Sequence, residues 1–169
     1  PKSWVGILDD LVMDSFHLAA LIHSLKLPAA PICWDFGAGA GLPGIPLRLL
    51  WQEGEYIMVE ARKKRVLFLQ AVLARLALPG IRVSPCRVED FMASAAPAHL
   101  LLSRAFMPWE KLLALAAGHL APAGVTIFMA SSPAPQLPPS LAAHWCLKED
   151  CHYPSTARPT AHFWTFCSL

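Results

Sequence analysis

Residues 32–41, Ile32-Cys33-Trp34-Asp35-Phe36-Gly37-Ala38-Gly39-Ala40-Gly41, set a short apolar run directly against a turn with glycine at every second position. Ile32 to Phe36 reads as a buried strand. The glycines that follow allow positive φ and let the backbone approach a ligand closely. A helix is expected from about Leu42 to Trp51, with Pro43 in the first turn, where a missing N–H is tolerated. The next strand, Tyr56 to Val59, ends in Glu60, nineteen residues beyond Gly41. An acid in that place can accept hydrogen bonds from both ribose hydroxyls of a nucleoside. A glycine-rich turn alone says little, whereas strand, glycine turn, helix, strand and acid in this order is a specific signature.

The same alternation extends outward in both directions. Upstream, Ser3 to about Leu25 has helical spacing, with Leu8, Leu11, Val12, Leu18, Leu21, Ile22 and Leu25 apolar, and Pro28 and Pro31 close this N-terminal helical segment of residues 1–27. Downstream, Val66, Leu69, Leu73 and Leu76 mark one face of a helix stopped by Pro79-Gly80. Ile81 to Ser84 is a third strand, Leu100 to Leu102 a fourth, Trp109 to Leu120 a helix and Val125 to Met129 a fifth strand. Two strand-like runs between His144 and Leu169 would form a final hairpin. The pattern predicts one α/β domain over residues 1–169, Rossmann-like, with a mostly parallel sheet and an antiparallel C-terminal edge.

Composition narrows the class. The chain has 169 residues, 55% apolar and only 15% charged, which suits a large buried core and not a disordered segment. Its net charge of +2 makes it no basic glove for nucleic acid, so any RNA contact must come from local patches. The five cysteines, Cys33, Cys86, Cys146, Cys151 and Cys167, are odd in number and irregularly spaced, as in a reducing compartment. Cys146, Cys151 and His152 have no second pair at zinc spacing, so no metal is expected. The start, Pro1 to Asp10, has no secretory pattern, and the expected location is the cytoplasm. Leu112 to Leu147 has no Lys, Arg, Asp or Glu, but Gly118, Pro122, Gly124 and four further prolines cut it into pieces too short to cross a bilayer.

A dinucleotide enzyme must be weighed against a nucleoside binder. Dinucleotide sites place the third glycine three beyond the second, to seat a pyrophosphate on the helix N-terminus. Here the spacing is G-x-G-x-G followed by Leu42-Pro43, and Pro43 removes an amide a phosphate would use. A ligand without phosphates, such as S-adenosyl-L-methionine, fits better, and an NAD-dependent dehydrogenase is the less favoured alternative.

Four blocks then make a family visible: Gly37 to Pro46 (GAGAGLPGIP), Lys64-Arg65-Val66-Leu67-Phe68-Leu69, Arg87-Val88-Glu89 and Ser103-Arg104-Ala105-Phe106. Together they resemble the glucose-inhibited division protein B family, the 16S ribosomal RNA guanine-N7 methyltransferases. The likeness is dense from Trp34 to Phe106 and thin elsewhere. It implies a class I methyltransferase fold with a seven-stranded sheet, adenosylmethionine as methyl donor, and 16S ribosomal RNA or the small subunit as partner. It further implies that Gly37, Gly39 and Leu42 border the methionine part, Glu60 holds the ribose, and Val88 and Glu89 contact the adenine. Arg104 would sit beside the reactive methyl, both as a cofactor-binding residue and as a positioning and electrostatic one, with no general base. The chain departs from the family pattern at His99 (an acid before the fourth strand), at Ala130-Ser131 (Lys-Gly after the fifth) and at Leu11 (a histidine). These departures are expected to lie toward the RNA, which leaves a non-catalytic adenosylmethionine- or RNA-binding module as an alternative.

Arg62-Lys63-Lys64-Arg65 opens a helix with four cations, against the macrodipole. Carboxylates or RNA phosphates must offset them, so these four are RNA-binding candidates. The acceptor that the resemblance implies, guanine N7, is compatible with what the chain lacks. The chain has no asparagine and no Asn-Pro-Pro or Asp-Pro-Pro motif, and its only Pro-Cys pair, Pro85-Cys86, follows the third strand. Guanine N7 has a lone pair and no proton to remove, so it needs only in-line placement. Phe106 and Trp109 are candidates to stack on the base.

Overall fold

The computed structural model describes residues 12–154 and 160–169. Its elements are α1 (Met13–Ser24), β1 (Ile32–Phe36), α2 (Gly44–Leu50), β2 (Glu55–Val59), α3 (Lys63–Leu76), β3 (Ile81–Ser84), α4 (Val88–Met92), β4 (Ala98–Arg104), α5 (Trp109–Ala116), β5 (Leu120–Ala130), α6 (Pro139–Ala142), β6 (Trp145–Tyr153) and β7 (Ala161–Ser168). Seven strands form one sheet in the order β3-β2-β1-β4-β5-β7-β6. The first five in that order are parallel, and β7 and β6 add the antiparallel edge.

β1 and β2 are buried on both faces because helices cover both sides of the sheet. One core layer packs Leu18 and Ile22 of α1 and Leu47 of α2 against Cys33, Tyr56, Met58, Leu100 and Leu102. The other packs α4, α5 and α6 against Trp34, Phe36, Ile57, Leu101, Phe128, Trp164 and Phe166. Successive strand residues point to opposite faces, so β1 alternates between the two layers. The order of connection reverses between β1 and β4, and a crevice opens there at the carboxyl ends of the strands.

Several sequence expectations are corrected at element ends. The helix expected from Leu42 begins at Gly44, and Pro43 precedes it, offering its carbonyl to Leu47 N. Gly118, at φ +78°, ends the helix expected to reach Leu120, and Leu120 instead starts β5. Leu76 is 46% exposed, because Ala77 turns left-handed and closes α3 before that side chain can pack. The first α-helical turns expected from Ser3, with Leu8 and Leu11, lie outside the described residues, as does Pro159. Among the described residues no helix is long and apolar enough to cross a membrane.

Candidate active site

A cleft of about 430 Å³ lies over the carboxyl ends of β1, β2, β3 and β4, within the range of small-molecule sites. Gly37 forms its floor at the end of β1. Val59, Glu60, Ala61 and Arg62 follow from β2, Arg65 from α3, and Cys86, Arg87, Val88 and Glu89 from the turn into α4. Ala105 and Phe106 close it from β4.

The glycine turn has the conformation its residues allow: Gly37, Gly39 and Gly41 have φ of +71°, +60° and +82°. A side chain at Gly37 would strike the Phe106 ring, 2.5 Å from a Cβ placed there. A Cβ at Gly39 would meet nothing nearer than 3.5 Å and would enter space a ligand could use. Gly37 N and Ala38 N both bond to Val59 O, which holds the turn against the end of β2.

Glu60 is 5% exposed and joins the parts of the cleft. One carboxylate oxygen accepts from Arg62 N at 2.8 Å, and the other accepts from Gly39 N at 3.1 Å and faces Arg65 Nη1 at 3.6 Å. Its charge thus offsets one of the cations that open α3, Arg65. Each oxygen keeps lone-pair capacity for a further donor, the geometry wanted for a vicinal diol. Arg62, Lys63, Lys64 and Arg65 are all exposed.

Beneath the turn, Asp35 is 2% exposed and accepts a hydrogen bond from Tyr56 Oη at 3.1 Å. Burial raises its carboxyl from 3.8 to about 7, and the Tyr56 bond only partly counters this. Sequence reasoning placed Asp35 in the strand and gave it no role; a lone acid inside a buried strand was the available signal.

The remaining expected residues separate. Val88 is buried at the start of α4 and Glu89 is exposed beside it, both on the cleft. Leu42 is half-buried and lies outside the lining, as does Gly39. Arg104 also lies outside it: its side chain leaves β4 on the α1 side, 22% exposed, with Nη2 3.8 Å from Asp14 Oδ2. Phe106 lines the cleft, whereas Trp109 packs in the core against Trp164 and Phe166. His99 is corrected: it sits inside β4 near its amino end, accepting from Ile32 N at 3.0 Å, at the sheet edge opposite the cleft. It therefore does not lie on the cleft side of the sheet. Ala130 does end β5 at the cleft edge, and Leu11 lies outside the described residues.

Fold and cleft together define the class I methyltransferase architecture. Solved structures agree: an S-adenosylmethionine-dependent methyltransferase from Aquifex aeolicus superposes with a TM-score of 0.69 at 11% identity, covering 97% of this chain and 93% of that one. Magnesium protoporphyrin IX methyltransferase from Synechocystis, solved with bound S-adenosylmethionine, gives 0.67 at 14% identity over 98% and 81%. The family model for rRNA small subunit methyltransferase G (GidB) matches residues 2–137. Ribosomal RNA small subunit methyltransferase G of Nitratidesulfovibrio vulgaris is 49% identical over 97% of this chain and 73% of that protein, and its Oleidesulfovibrio alaskensis counterpart is 51% identical over 85% and 63%. The chain belongs to the rRNA small subunit methyltransferase G family. It is a methyltransferase of the S-adenosylmethionine-dependent class, and the dehydrogenase alternative falls away.

Proposed function

We propose that this chain transfers a methyl group from S-adenosyl-L-methionine to N7 of a guanine in 16S ribosomal RNA, in the cytoplasm. The observation that supports this most directly is the anchored Glu60 carboxylate, held by Gly39 N and Arg62 N at the mouth of a cleft at the strand-order reversal. Glu60 would take the ribose hydroxyls, Val88 and Glu89 would flank the adenine, and Gly37, Gly39 and Leu42 would border the methionine part. The cofactor supplies an electrophilic methyl on a sulfonium. The chain's own residues orient it, and Phe106, packed over Gly37, shields that end of the cleft from water.

Guanine N7 presents a lone pair, so no base is required and the protein's task is alignment. Arg62, Lys63, Lys64 and Arg65, with Arg87 across the cleft, give an exposed cationic rim for RNA phosphates. Arg104 would act on the base from the other side of the sheet edge.

The test is incubation of 30S subunits and naked ribosomal RNA with labelled cofactor, followed by mass spectrometry of the nucleosides. Label on N7-methylguanosine is expected. Label on adenine, cytosine or protein would overturn the acceptor, and bound cofactor without product would leave a non-catalytic module. Gly39→Val should fill the cofactor's space and abolish binding; unchanged affinity in the folded variant removes the site.

A further inference from the structure

We propose that Asp14 is the positioning residue for Arg104, and that it also neutralises the guanidinium beside a base that gains positive charge. The proposal rests on the methyl-transfer reading above and goes beyond it. Arg104 leaves the last residue of β4 on the face where α1 packs. Asp14, in the first turn of α1, is 0% exposed, and its Oδ2 faces Arg104 Nη2 at 3.8 Å, an ion-pair distance and not a hydrogen bond. Its other oxygen accepts from Tyr153 Oη. Tyr153 ends β6 and is itself fixed: its ring stacks on His17 at 3.8 Å and tilts against Phe163 at 5.4 Å. Ser15, next along α1, donates to Pro43 O at 3.2 Å. Ser15 thus ties α1 to the turn before α2, and Tyr153 ties the carboxylate to the end of β6.

A fully buried carboxylate is costly unless paired, so the pair is built to stay formed. A pair serving the core alone would be hidden on both sides. Here the arginine is 22% exposed at the same sheet edge as the cleft, with a buried counter-charge beside one of its terminal nitrogens. The reaction explains why a counter-charge belongs there. The bond from sulfur to the methyl carbon breaks as the bond from N7 to that carbon forms; no proton leaves, and the positive charge passes from sulfonium to guanine. A lone guanidinium donating to the base edge would oppose that charge. A guanidinium balanced by Asp14 can donate hydrogen bonds to guanine O6 without doing so.

The experiment is a double-mutant cycle on the full chain with 30S subunits, reading kcat, RNA KM, cofactor Kd and the unfolding midpoint. Asp14→Asn should lower kcat by about tenfold or more while cofactor Kd stays unchanged, since Asp14 is outside the cleft. In the Arg104→Gln background the same change should alter kcat by less than about twofold, because the charge it balances is gone. Asp14→Glu should restore part of the rate, and Tyr153→Phe, which keeps the ring, should lower kcat in the same direction by less. An equal drop from Asp14→Asn in both backgrounds would mean a merely structural residue and overturn the proposal. If Asp14→Asn does not fold, Tyr153→Phe with unchanged kcat does the same. A wild-type chain that binds cofactor and methylates no guanine overturns the functional reading and this inference together. An active wild type without coupling overturns the inference alone.

Discussion

The two ends of the parallel sheet treat their polar groups in opposite ways. At the amino ends of β2 and β3, Arg48 of α2 is 1% exposed and donates four hydrogen bonds, to the carbonyls of Pro79, Trp51, Glu53 and Gly54, at 2.7–3.3 Å. The space around it is closed: a Cβ at Gly80 would fall 2.4 Å from Arg48 Nη2, and one at Gly54 1.9 Å from Pro31 O. Around the cleft at the carboxyl ends stand Glu60, Arg62, Arg65, Arg87 and Glu89, with hydrogen-bonding capacity still open. One end spends its charges on holding the chain together, and the other keeps them for a visitor. Buried polar groups must be satisfied, and what satisfies them distinguishes scaffold from site.

The sharpest way to break that contrast is at Arg48. Arg48→Met should destabilise the chain by roughly 4–5 kcal/mol, since several carbonyls lose a charged donor in a buried setting. Urea unfolding measures this, and a loss under about 1.5 kcal/mol would mean the loops at residues 51–54 and 79–80 hold themselves.

Asp35 gives the next largest effect, through pH. Its folded pKa of about 7 lies above the ordinary 3.8, so folding favours the protonated acid. The stability this contributes is fully present below pH 3.8 and is lost as pH rises to about 7. The change is on the order of 4 kcal/mol. Asp35→Asn should remove that slope, matching the parent near the acid end and exceeding it above neutrality. Parallel stability-against-pH curves for the two proteins would show that Asp35 does not titrate with folding.

Glu60→Ala comes third, weakening adenosylmethionine by about 1.5–3 kcal/mol, the range for bonds to a charged group. Calorimetry with the cofactor and its 2′,3′-dideoxy analogue checks it: the variant should no longer distinguish the two. The smallest effect is at the rim. Lys63→Ala and Lys64→Ala should each reduce the salt slope of RNA affinity by about 0.7–0.9 if each meets one phosphate. An unaltered slope assigns them to solvent.

The cleft end was the more legible in the sequence, because its signals are local. The glycine turn, Glu60 at the end of the next strand and the cations of α3 all lie within 29 residues, from Gly37 to Arg65, and their spacing states their geometry. The Arg48 knot draws on irregular loops whose carbonyls belong to any residue type, so no pattern announces it. The Asp14–Tyr153 bond joins residues 139 apart. Its one trace is that helical spacing puts an acid and a serine, Asp14 and Ser15, on the same face as Leu18, Leu21 and Ile22. Hydrophobic periodicity reports which face of an element is covered, not which end of a strand a residue occupies. His99 was expected toward the RNA as a departure from the family pattern, and it lies near the amino end of β4, away from the cleft.

The order in which the cleft is written along the chain has a consequence for synthesis. Among the described residues its lining runs from Gly37 to Phe106 and draws nothing from β5 or the β6–β7 hairpin. The roof residue, Phe106, reaches Gly37 only when β4 pairs with β1, Cys33 to Phe36 against Leu100 to Ser103, a contact that must close a loop of more than sixty residues. Such closure is slow compared with local pairing. A chain emerging N-terminus first thus has every one of these lining residues in hand before its last two strands exist. Adenosylmethionine could then act as a template for the β1–β4 junction, and adding it to ribosome-stalled chains of increasing length should raise protease resistance once β5 has emerged and before the hairpin has.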